Sequence, residues 1–292
     1  MAEAEPLIRN VADTAFLVAY FRAQESERPD ALFVDPLASK LAGDRGREIG
    51  SQVAGASMMR WSVALRTRVI DTYLTEALER GVDTIINLGA GLDTRPYRMN
   101  LPESLHWVEI DAPEVIAFKE TQLDGERARC RLERIPLDLR DEEARGALFG
   151  ALDARAGRTQ VLTEGVIPYL QSEEVASLAA DLHRMRKLDS WIIDYFSPET
   201  LAFRKRTRIH GQFQQAQFKF EPADWLGFFT ERGWRNLETK YLAVEGARYR
   251  RQPPLPWAAR ALRAVMLRFI PPERRTRFDN FLAYVRLEPV RA

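Results

Sequence analysis

The sequence predicts an α/β protein built on a doubly wound, mostly parallel sheet of seven strands with helices on both faces. Residues 62 to 196 alternate between segments with helical spacing of apolar residues and short apolar runs rich in β-branched residues, as helices and parallel strands do. The first run, Thr84 to Leu88, ends at Gly89-Ala90-Gly91, where the backbone can turn tightly and approach a ligand. Polar residues follow the later runs, and ligands of such sheets bind at the carboxyl ends of the strands.

The composition is that of a globular protein of one large domain, since 46% of the 292 residues are hydrophobic and 29% are charged. The formal net charge of +1 provides no general attraction to nucleic acid. The single cysteine, Cys130, excludes an internal disulfide, and the three histidines lack the spacing of a metal site. No apolar run reaches about 18 residues and the N-terminus lacks signal-peptide features, so we expect a cytoplasmic protein without a membrane span.

Residues 1 to 80 are predicted to form a helical cover that belongs to the same domain as the sheet. Asp13 or Thr14 can cap a first helix, whose apolar residues follow at helical spacing. A polar stretch from Gly43 to Gly50 is expected to separate a second segment from a helix over Ser62 to Leu78. The three parts of the domain are therefore the cover, a ligand-binding core over 81 to 196, and the remaining residues 197 to 292.

The loop after the first strand carries the opening of a nucleotide-binding unit, but with two departures from a dinucleotide fingerprint. Thr94 stands where the third glycine belongs, and Asp93 lies where the following helix would meet a pyrophosphate. A carboxylate at that point repels phosphate and opposes the anion site of a helix N-terminus. S-adenosylmethionine carries positive charge and no phosphate, so the loop favours this methyl donor.

The second strand, Leu105 to Ile110, is followed by an acid whose spacing suits a ribose. Asp111 lies 20 residues after Gly91 in the chain, and a carboxylate at that strand end can accept hydrogen bonds from both ribose hydroxyls. A solvent-exposed loop acid is the alternative. Three further strands are predicted at 131 to 139, Val161 to Val166 and Ser190 to Phe196.

The C-terminal third is rich in arginine and departs from the alternating pattern. Residues 197 to 220 are interpreted as an insertion that covers the methyl acceptor, with a basic surface helix as the alternative. A helix over Pro222 to Arg232 and strands over Trp234 to Val244 and Asn280 to Leu287 complete the sheet. Residues 257 to 269 have the pattern of a basic amphipathic helix, which can be a packed surface helix, a lid or a membrane-surface contact.

Four motifs in order connect the chain to one family. They are Asn-Leu-Gly-Ala-Gly-Leu-Asp-Thr-Arg at 87 to 95, Glu-Ile-Asp-Ala-Pro at 109 to 113, Pro-Leu-Asp-Leu-Arg-Asp at 136 to 141, and Thr-Glu-Gly-Val-Ile-Pro-Tyr-Leu at 163 to 170. With them the chain resembles the leucine carboxyl methyltransferases and the tetracenomycin-type polyketide O-methyltransferases, over roughly residues 13 to 196. The resemblance implies a Rossmann-like class I fold and S-adenosylmethionine as cofactor.

The resemblance also implies roles for individual residues. An arginine in the position of Arg66 grips the carboxylate of the methyl donor, although Arg68 competes for this role and Arg66 could instead be a solvated helix arginine. Asp138 and Leu139 would contact the adenine. The complete cofactor site predicted in this way is Arg66, Gly89, Ala90, Gly91, Asp93, Asp111, Asp138, Leu139, Glu164 and Gly165.

The acceptor side is predicted from position alone. Tyr169 and Tyr195 should lie near the transferred methyl group, and His210 is the attractive candidate for a base. Acceptor contacts are predicted from Tyr20, Arg22, Arg204 and Arg208. No metal is expected.

These observations predict a methyltransferase that acts on an oxygen of a small, polyketide-like or other natural product. A carboxylate acceptor needs no base, because its oxygen is already anionic. The alternatives are a phenolic hydroxyl, a protein or peptide C-terminal carboxyl, a nucleic acid, and a non-catalytic adenosine-binding protein. The near-neutral charge argues against nucleic acid, and the set of Arg66, Asp111 and Glu164 argues against a non-catalytic protein.

Overall fold

The structure is a computed structural model that describes residues 7–206, 212–213, 215–255 and 280–291. Its centre is a seven-stranded sheet with the strand order β3-β2-β1-β4-β5-β7-β6. The strands of the described chain are β1 Thr84–Leu88, β2 His106–Asp111, β3 Arg131–Pro136, β4 Thr159–Thr163, β5 Leu188–Phe196, β6 Trp234–Tyr241 and β7 Leu282–Pro289.

The first five strands are parallel and β7 is antiparallel to both of its neighbours. All five residues of β1 and of β4 are buried, as expected for central strands covered on both faces. The strand order reverses between β1 and β4, so the carboxyl ends of these two strands flank the crevice where such sheets bind ligands. The predicted mostly parallel α/β sheet is confirmed.

Helices of the described chain cover both faces of the sheet. They are α1 Val11–Ser26, α2 Ala38–Gln52, α3 Ala56–Glu79, α4 Arg95–Arg98, α5 Pro113–Gln122, α6 Glu142–Arg155, α7 Ser172–Arg184, α8 Pro198–Arg206, α9 Trp225–Thr230 and α10 Leu242–Arg248, with a 3₁₀ turn at Ile167–Tyr169. None of them is long and apolar enough to cross a membrane.

Two apolar cores lie on opposite faces of the sheet. One joins the sheet to α6, α7 and α9 and contains Phe149, Leu182 and Phe229. The other joins it to α3 and α10 and contains Tyr73 and Leu242. The residues of α3 that line the cavity described below, among them Met58, Ser62 and Arg66, belong to the N-terminal half of this helix.

The N-terminal cover differs from the prediction at two points. The side chain of Asn10 caps α1, accepting from the backbone N–H of Asp13 at 2.9 Å, so the helix begins before Asp13 and Thr14. The stretch from Gly43 to Gly50 is not a separator, since it lies within α2 beyond a kink at Gly43. Two of its glycines allow close packing on α1, since a Cβ on Gly46 would lie 2.7 Å from the carbonyl oxygen of Phe16 and a Cβ on Gly50 would lie 2.1 Å from the Tyr20 ring.

Strand boundaries differ from the prediction mainly where the chain leaves the sheet. β1 agrees residue for residue, whereas β3 ends at Pro136 and leaves Asp138 and Leu139 in the following loop. β6 ends at Tyr241, and the residues after it, predicted as strand to Val244, form α10. The predicted basic helix over 257 to 269 lies outside the described residues.

Candidate active site

A cavity of about 840 Å³ opens at the carboxyl ends of the parallel strands and extends beneath the N-terminal cover. It brings together residues predicted from distant parts of the sequence. The predicted site residues that line it are Arg22, Arg66, Gly89, Ala90, Gly91, Asp93, Asp111, Asp138, Leu139, Glu164, Gly165, Tyr169 and Tyr195. Its volume lies in the range of small-molecule and cofactor sites.

The glycine loop is held by the neighbouring strand. The backbone N–H groups of Gly89 and Ala90 both donate to the carbonyl oxygen of Ile110, at 2.8 and 3.2 Å. Gly89 has a φ of 63°, and a Cβ there would lie 2.3 Å from Cγ2 of Val166. Gly89 is therefore required both by its backbone conformation and by this close contact.

Asp111 binds back to the same loop. Its carboxylate accepts from the backbone N–H of Gly91 at 2.6 Å and from that of Ala112 at 2.7 Å. Burial raises the pKa of Asp111, against the opposing effect of these two hydrogen bonds. Each carboxylate oxygen has more than one lone pair, so acceptor sites remain on the cavity side.

Arg66 and Glu164 form a pair inside the cavity. Nε of Arg66 lies 2.9 Å from Oε1 of Glu164, and the other oxygen of Glu164 accepts from Arg95 at 2.8 Å. Burial opposes ionisation of Glu164, but Arg95 and Arg66 outweigh it and lower its pKa. The competitor Arg68 faces elsewhere, with its guanidinium 5.5 Å from the ring centre of Tyr249. Arg66, and not Arg68, lines the cavity.

Arg95 is the centre of this ion network, although the sequence did not mark it as a site residue. Its side chain is 1% exposed and donates to Asp71, Asp93 and Glu164 at 2.7 to 2.8 Å. Together with Arg66 on Glu164 and Arg98 on Asp71, it gives three guanidiniums for three carboxylates, so the network is close to neutral and rigid. The sequence signal for this role was Arg95 itself in Asp93-Thr94-Arg95, because standard phosphate-binding loops do not account for an arginine at that position.

The structure corrects the reason for including Asp93. Asp93 accepts from the side chain of Asn87 at 2.9 Å and from the backbone and side chain of Arg95. Burial opposes its ionisation, but Arg95 and then Arg22 outweigh this and lower its pKa. Its charge is thus neutralised internally, and its main contacts maintain the loop. Repulsion of a phosphate therefore cannot be assigned to Asp93 alone.

The loop after β3 contributes a partly open wall. Asp138 is exposed, and Arg140 donates to it from both its backbone N–H and its Nε at 2.9 Å. This pairing lowers the pKa of Asp138. Leu139 is half-buried and packs against the core under α6 and α7.

The other end of the cavity is apolar. Tyr169 and Phe196 both pack edge-on against Phe218, with ring centres 5.3 and 5.0 Å apart. Tyr195 lies beside them and packs against Tyr241. Apolar and aromatic residues lining this end include Leu17, Val18, Phe21, Met58, Met59, Val63, Phe203, Phe213 and Phe281.

Two predicted acceptor contacts are placed differently. Tyr20 packs against Gly50 in the interface of α1 and α2 and accepts from Gln24, on the side of α1 away from the cavity. Arg22 reaches the cavity wall, but it forms a buried pair with Asp35 at 3.2 Å and donates to the carbonyl of Leu92. Its donors therefore serve the fold. Sequence periodicity could not distinguish these faces of α1, because both are covered.

The side chains of the remaining predicted residues are not among those that the structure describes. Arg208 and His210 fall between the described segments, and of Arg204 only its position in α8 is described. Among the described residues, no group of three histidine, cysteine or acidic side chains is placed to hold a metal ion.

Two further cavity residues were missed by sequence reasoning. Asp194 is 3% exposed at the end of β5, and Tyr284 is 4% exposed on β7. The Tyr284 hydroxyl donates to Asp194 at 2.7 Å. The usable signal was an acid directly after the apolar run Trp191 to Ile193, at the end of a predicted strand.

Comparison with known proteins agrees with this geometry. The family model for leucine carboxyl methyltransferase matches residues 15–183. An inferred S-adenosyl-L-methionine-dependent methyltransferase of Frankia alni is 33% identical over 264 residues. The match covers 84% of this chain and 90% of that protein. The chain belongs to the leucine carboxyl methyltransferase family. It is an S-adenosylmethionine-dependent methyltransferase.

Other relatives and solved structures support the family's fold. A Mycobacterium marinum protein, also named by inference for this activity, is 29% identical over 288 residues, covering 84% of this chain and 88% of that protein. The structure of an inferred methyltransferase from Thermobifida fusca has a TM-score of 0.58 at 13% identity, covering 95% of this chain and 94% of that chain. A structure of the DUF574 family from Streptomyces avermitilis has a TM-score of 0.51 at 13% identity, covering 93% of this chain and 96% of that chain.

The donor set of the cavity fits the methyltransferase cofactor. In the network around Arg95, the carboxylates of Asp93 and Glu164 are paired with guanidiniums. Asp111 and Asp194 have no ion pair within the part of the chain the structure describes, and they give the cofactor end an excess of negative charge. Nε of Arg66 lies 2.9 Å from Oε1 of Glu164 without the geometry of a hydrogen bond. A ligand with a sulfonium, an ammonium, a carboxylate and a ribose complements these groups.

Proposed function

We propose that this methyltransferase forms a methyl ester on a carboxylate of a small, largely apolar molecule of the polyketide or natural-product type. The observation that carries the proposal is one continuous cavity, which runs from a charged end at the strand termini to an aromatic end beneath the cover. One ligand with many polar groups and one apolar ligand can therefore meet inside it. A cytoplasmic location is part of the same proposal.

The cofactor roles follow from the contacts. Arg66 is proposed to grip the carboxylate of the methionine moiety, since its terminal nitrogens form a two-point fork for a carboxylate. Glu164 lies against Arg66 and is proposed to accept from the ammonium. Asp111 is proposed to accept from the ribose hydroxyls, and the loop at Asp138 and Leu139 to contact the adenine. Bound S-adenosylmethionine supplies an electrophilic methyl group on a sulfonium.

The acceptor chemistry is supported by two points. The matched family is described as acting on a leucine carboxyl group, and a carboxylate oxygen attacks without losing a proton. The described residues that line the cavity include no histidine, lysine or cysteine, and we expect the apolar lining to keep water from the reacting atoms. The protein's part is then alignment of the two ligands, and Tyr169 and Tyr195 of the apolar end are proposed to lie near the transferred methyl group.

Product chemistry tests the proposal directly. The enzyme is incubated with S-adenosylmethionine labelled in the methyl group and with pairs of aromatic acceptors that differ only in bearing a carboxylate or a phenol. We expect label to transfer to the carboxylates and to be released as methanol in mild alkali, because esters are hydrolysed and methyl ethers are not. Transfer only to the phenols, in alkali-stable form, would overturn the carboxylate assignment.

The arginines of the insertion stay candidates for holding the acceptor carboxylate. If residues 204 to 208 continue as a helix, Arg204 and Arg208 share a face and Arg206 points about 200° away from Arg204. Alanine at Arg204 or Arg208 should raise the KM for the acceptor, while alanine at Arg206 serves as the control with little effect. Equal kinetics for all three variants and the parent would assign this cluster to the surface.

A further inference from the structure

The buried acid near the end of β5 adds negative charge to the cofactor end, but it is given no cofactor contact above. Asp194 lines the cavity but directs its carboxylate toward two neighbouring strands. The hydroxyl of Tyr284, its partner in the antiparallel register of β5 and β7, donates to Oδ1 at 2.7 Å. The backbone N–H of Gly165, directly after β4, donates to Oδ2 at 2.9 Å and to Oδ1 at 3.2 Å.

The bond to Gly165 fixes a turn that could otherwise move. Gly165 has a φ of 69°, and a Cβ built on it would meet no atom within 4 Å, so no close contact at that point fixes the turn. Its N–H is instead held by the carboxylate of Asp194. The residue before this turn is Glu164, whose two oxygens contact Arg66 and Arg95. The direction of the Glu164 side chain therefore depends on the peptide that Asp194 holds.

We propose that Asp194, oriented by Tyr284, is a positioning residue that holds the turn at Gly165 and thereby places Glu164 and Arg66 for the methionine end of the cofactor. The bridge spans β4, β5 and β7, so the C-terminal strand of the sheet takes part in cofactor binding without touching the cofactor. The inference rests on the proposed cofactor role of Glu164 and is independent of the identity of the acceptor.

The first test measures the affinity for S-adenosylhomocysteine by calorimetry, without an acceptor. Asp194→Asn removes the charge and one acceptor oxygen, and it should raise Kd about 10-fold or more; Tyr284→Phe removes only the orienting hydroxyl and should raise Kd about 3-fold. Tyr249→Phe is the matched control, because this half-buried tyrosine contacts Arg68 outside the cavity. Thermal unfolding of each variant verifies that it is folded. Parent-like affinity of both cavity variants would overturn the proposal.

A double-mutant cycle distinguishes positioning from direct contact. Glu164→Gln should itself weaken binding. If Asp194 acts through Glu164, Asp194→Asn should change Kd less than about 2-fold in the Glu164→Gln background, since groups that act in series are not additive. A full 10-fold loss in that background would mean that Asp194 binds the cofactor directly. Unchanged affinity of Glu164→Gln would also overturn the proposal, whereas failure to form a methyl ester would leave this cycle unaffected.

The pH dependence gives a second, independent readout. Burial raises the pKa of Asp194 to about 6, against the lowering effects of Tyr284, Arg66 and the Gly165 N–H, while the nearby Glu164 raises it further. The ionised carboxylate is the better acceptor, so affinity should fall as pH drops through about 6 in the parent. That step should be absent in Asp194→Asn. The same step in both proteins would show that another group causes it.

Discussion

At the scale of single residues, the cofactor end depends on a few side chains with two functions each. Asp111 braces the glycine loop through Gly91 and also presents free lone pairs to the cavity. Arg95 holds three carboxylates at once. Such groups are costly to remove, because each deletion leaves a buried partner without its hydrogen bond.

Asp111→Ala should weaken binding of S-adenosylmethionine by about 1–3 kcal/mol, because a charged acceptor is lost from the site. Since burial raises the pKa of Asp111, the ionised form that is proposed to accept from the ribose is lost as pH falls through that raised value. Affinity of the parent should therefore decline toward acid pH. Calorimetry at several pH values measures this. Glu120→Ala, exposed on α5 and outside the cavity, is the control, and equal binding by both variants would remove Asp111 from the site.

Gly89→Ala should destabilise the cofactor loop by about 1–3 kcal/mol, the usual cost of a non-glycine residue held at positive φ, and more if Val166 cannot move. Gly91→Ala should be milder, since a Cβ there would lie 3.5 Å from Ala15, at ordinary contact distance. Adding Val166→Ala to Gly89→Ala should recover the stability lost to the steric clash, but not the stability lost to the positive φ. Thermal unfolding with and without S-adenosylhomocysteine measures these differences. A larger loss of stability for Gly91→Ala than for Gly89→Ala would contradict this explanation of the loop.

At the scale of elements, α1 is joined to the cofactor loop by a buried pair rather than by apolar contacts alone. Arg22 on α1 pairs with Asp35 and donates to Leu92, while Thr94 of the loop donates to Asp35 at 2.6 Å. These buried polar contacts thus join the cover directly to the cofactor loop. Displacement of α1 should therefore disturb the loop as well as the acceptor end.

Arg22→Met should cost about 3–5 kcal/mol of unfolding free energy, because it leaves Asp35 charged and buried without its partner. The exposed pair of Arg28 and Asp30 provides the control, where Arg28→Ala should cost less than about 1 kcal/mol. Denaturant unfolding measures both. A cost for Arg22→Met as small as that of the control would show that the pair contributes little. If Arg22 bound the acceptor instead, Arg22→Met would keep its full stability and would raise the KM for the acceptor.

At the scale of the whole molecule, the charge is distributed unevenly although the net charge is only +1. Arginines are frequent in the C-terminal third, whereas the cofactor end of the cavity carries Asp111 and Asp194, which form no ion pair with any residue that the structure describes. A ligand is selected by this local field and by its fit, not by the net charge. The site should accordingly prefer a cationic nucleoside to one with a pyrophosphate.

S-adenosylmethionine at 100 times its Kd should stabilise the protein by about 2.7 kcal/mol, as mass action requires for a ligand of the folded state alone. NAD at the same concentration should leave the unfolding midpoint unchanged, because its phosphates are repelled by the net negative charge of the acids at this end of the cavity. A thermal shift series with both ligands measures this. A larger shift with NAD than with the methyl donor would contradict the charge assignment.

The sequence alone determined the parts of this protein that depend on local pattern. The buried run of β1, the glycines after it and the spacing to Asp111 are set by backbone conformation and strand geometry, and these were predicted closely. Four motifs in order sufficed for the family. The sheet and most of the cofactor wall follow from short-range regularities that a linear pattern contains.

Only the tertiary structure decided which side chains meet. It selected Arg66 over Arg68, because two positions on α3 face opposite sides and only packing on the sheet says which side is the cavity. It placed Arg95 at the centre of an ion network, turned Tyr20 away from the cavity, and brought Tyr284 of the last strand onto Asp194. These contacts join residues far apart in the chain, so no local periodicity records them.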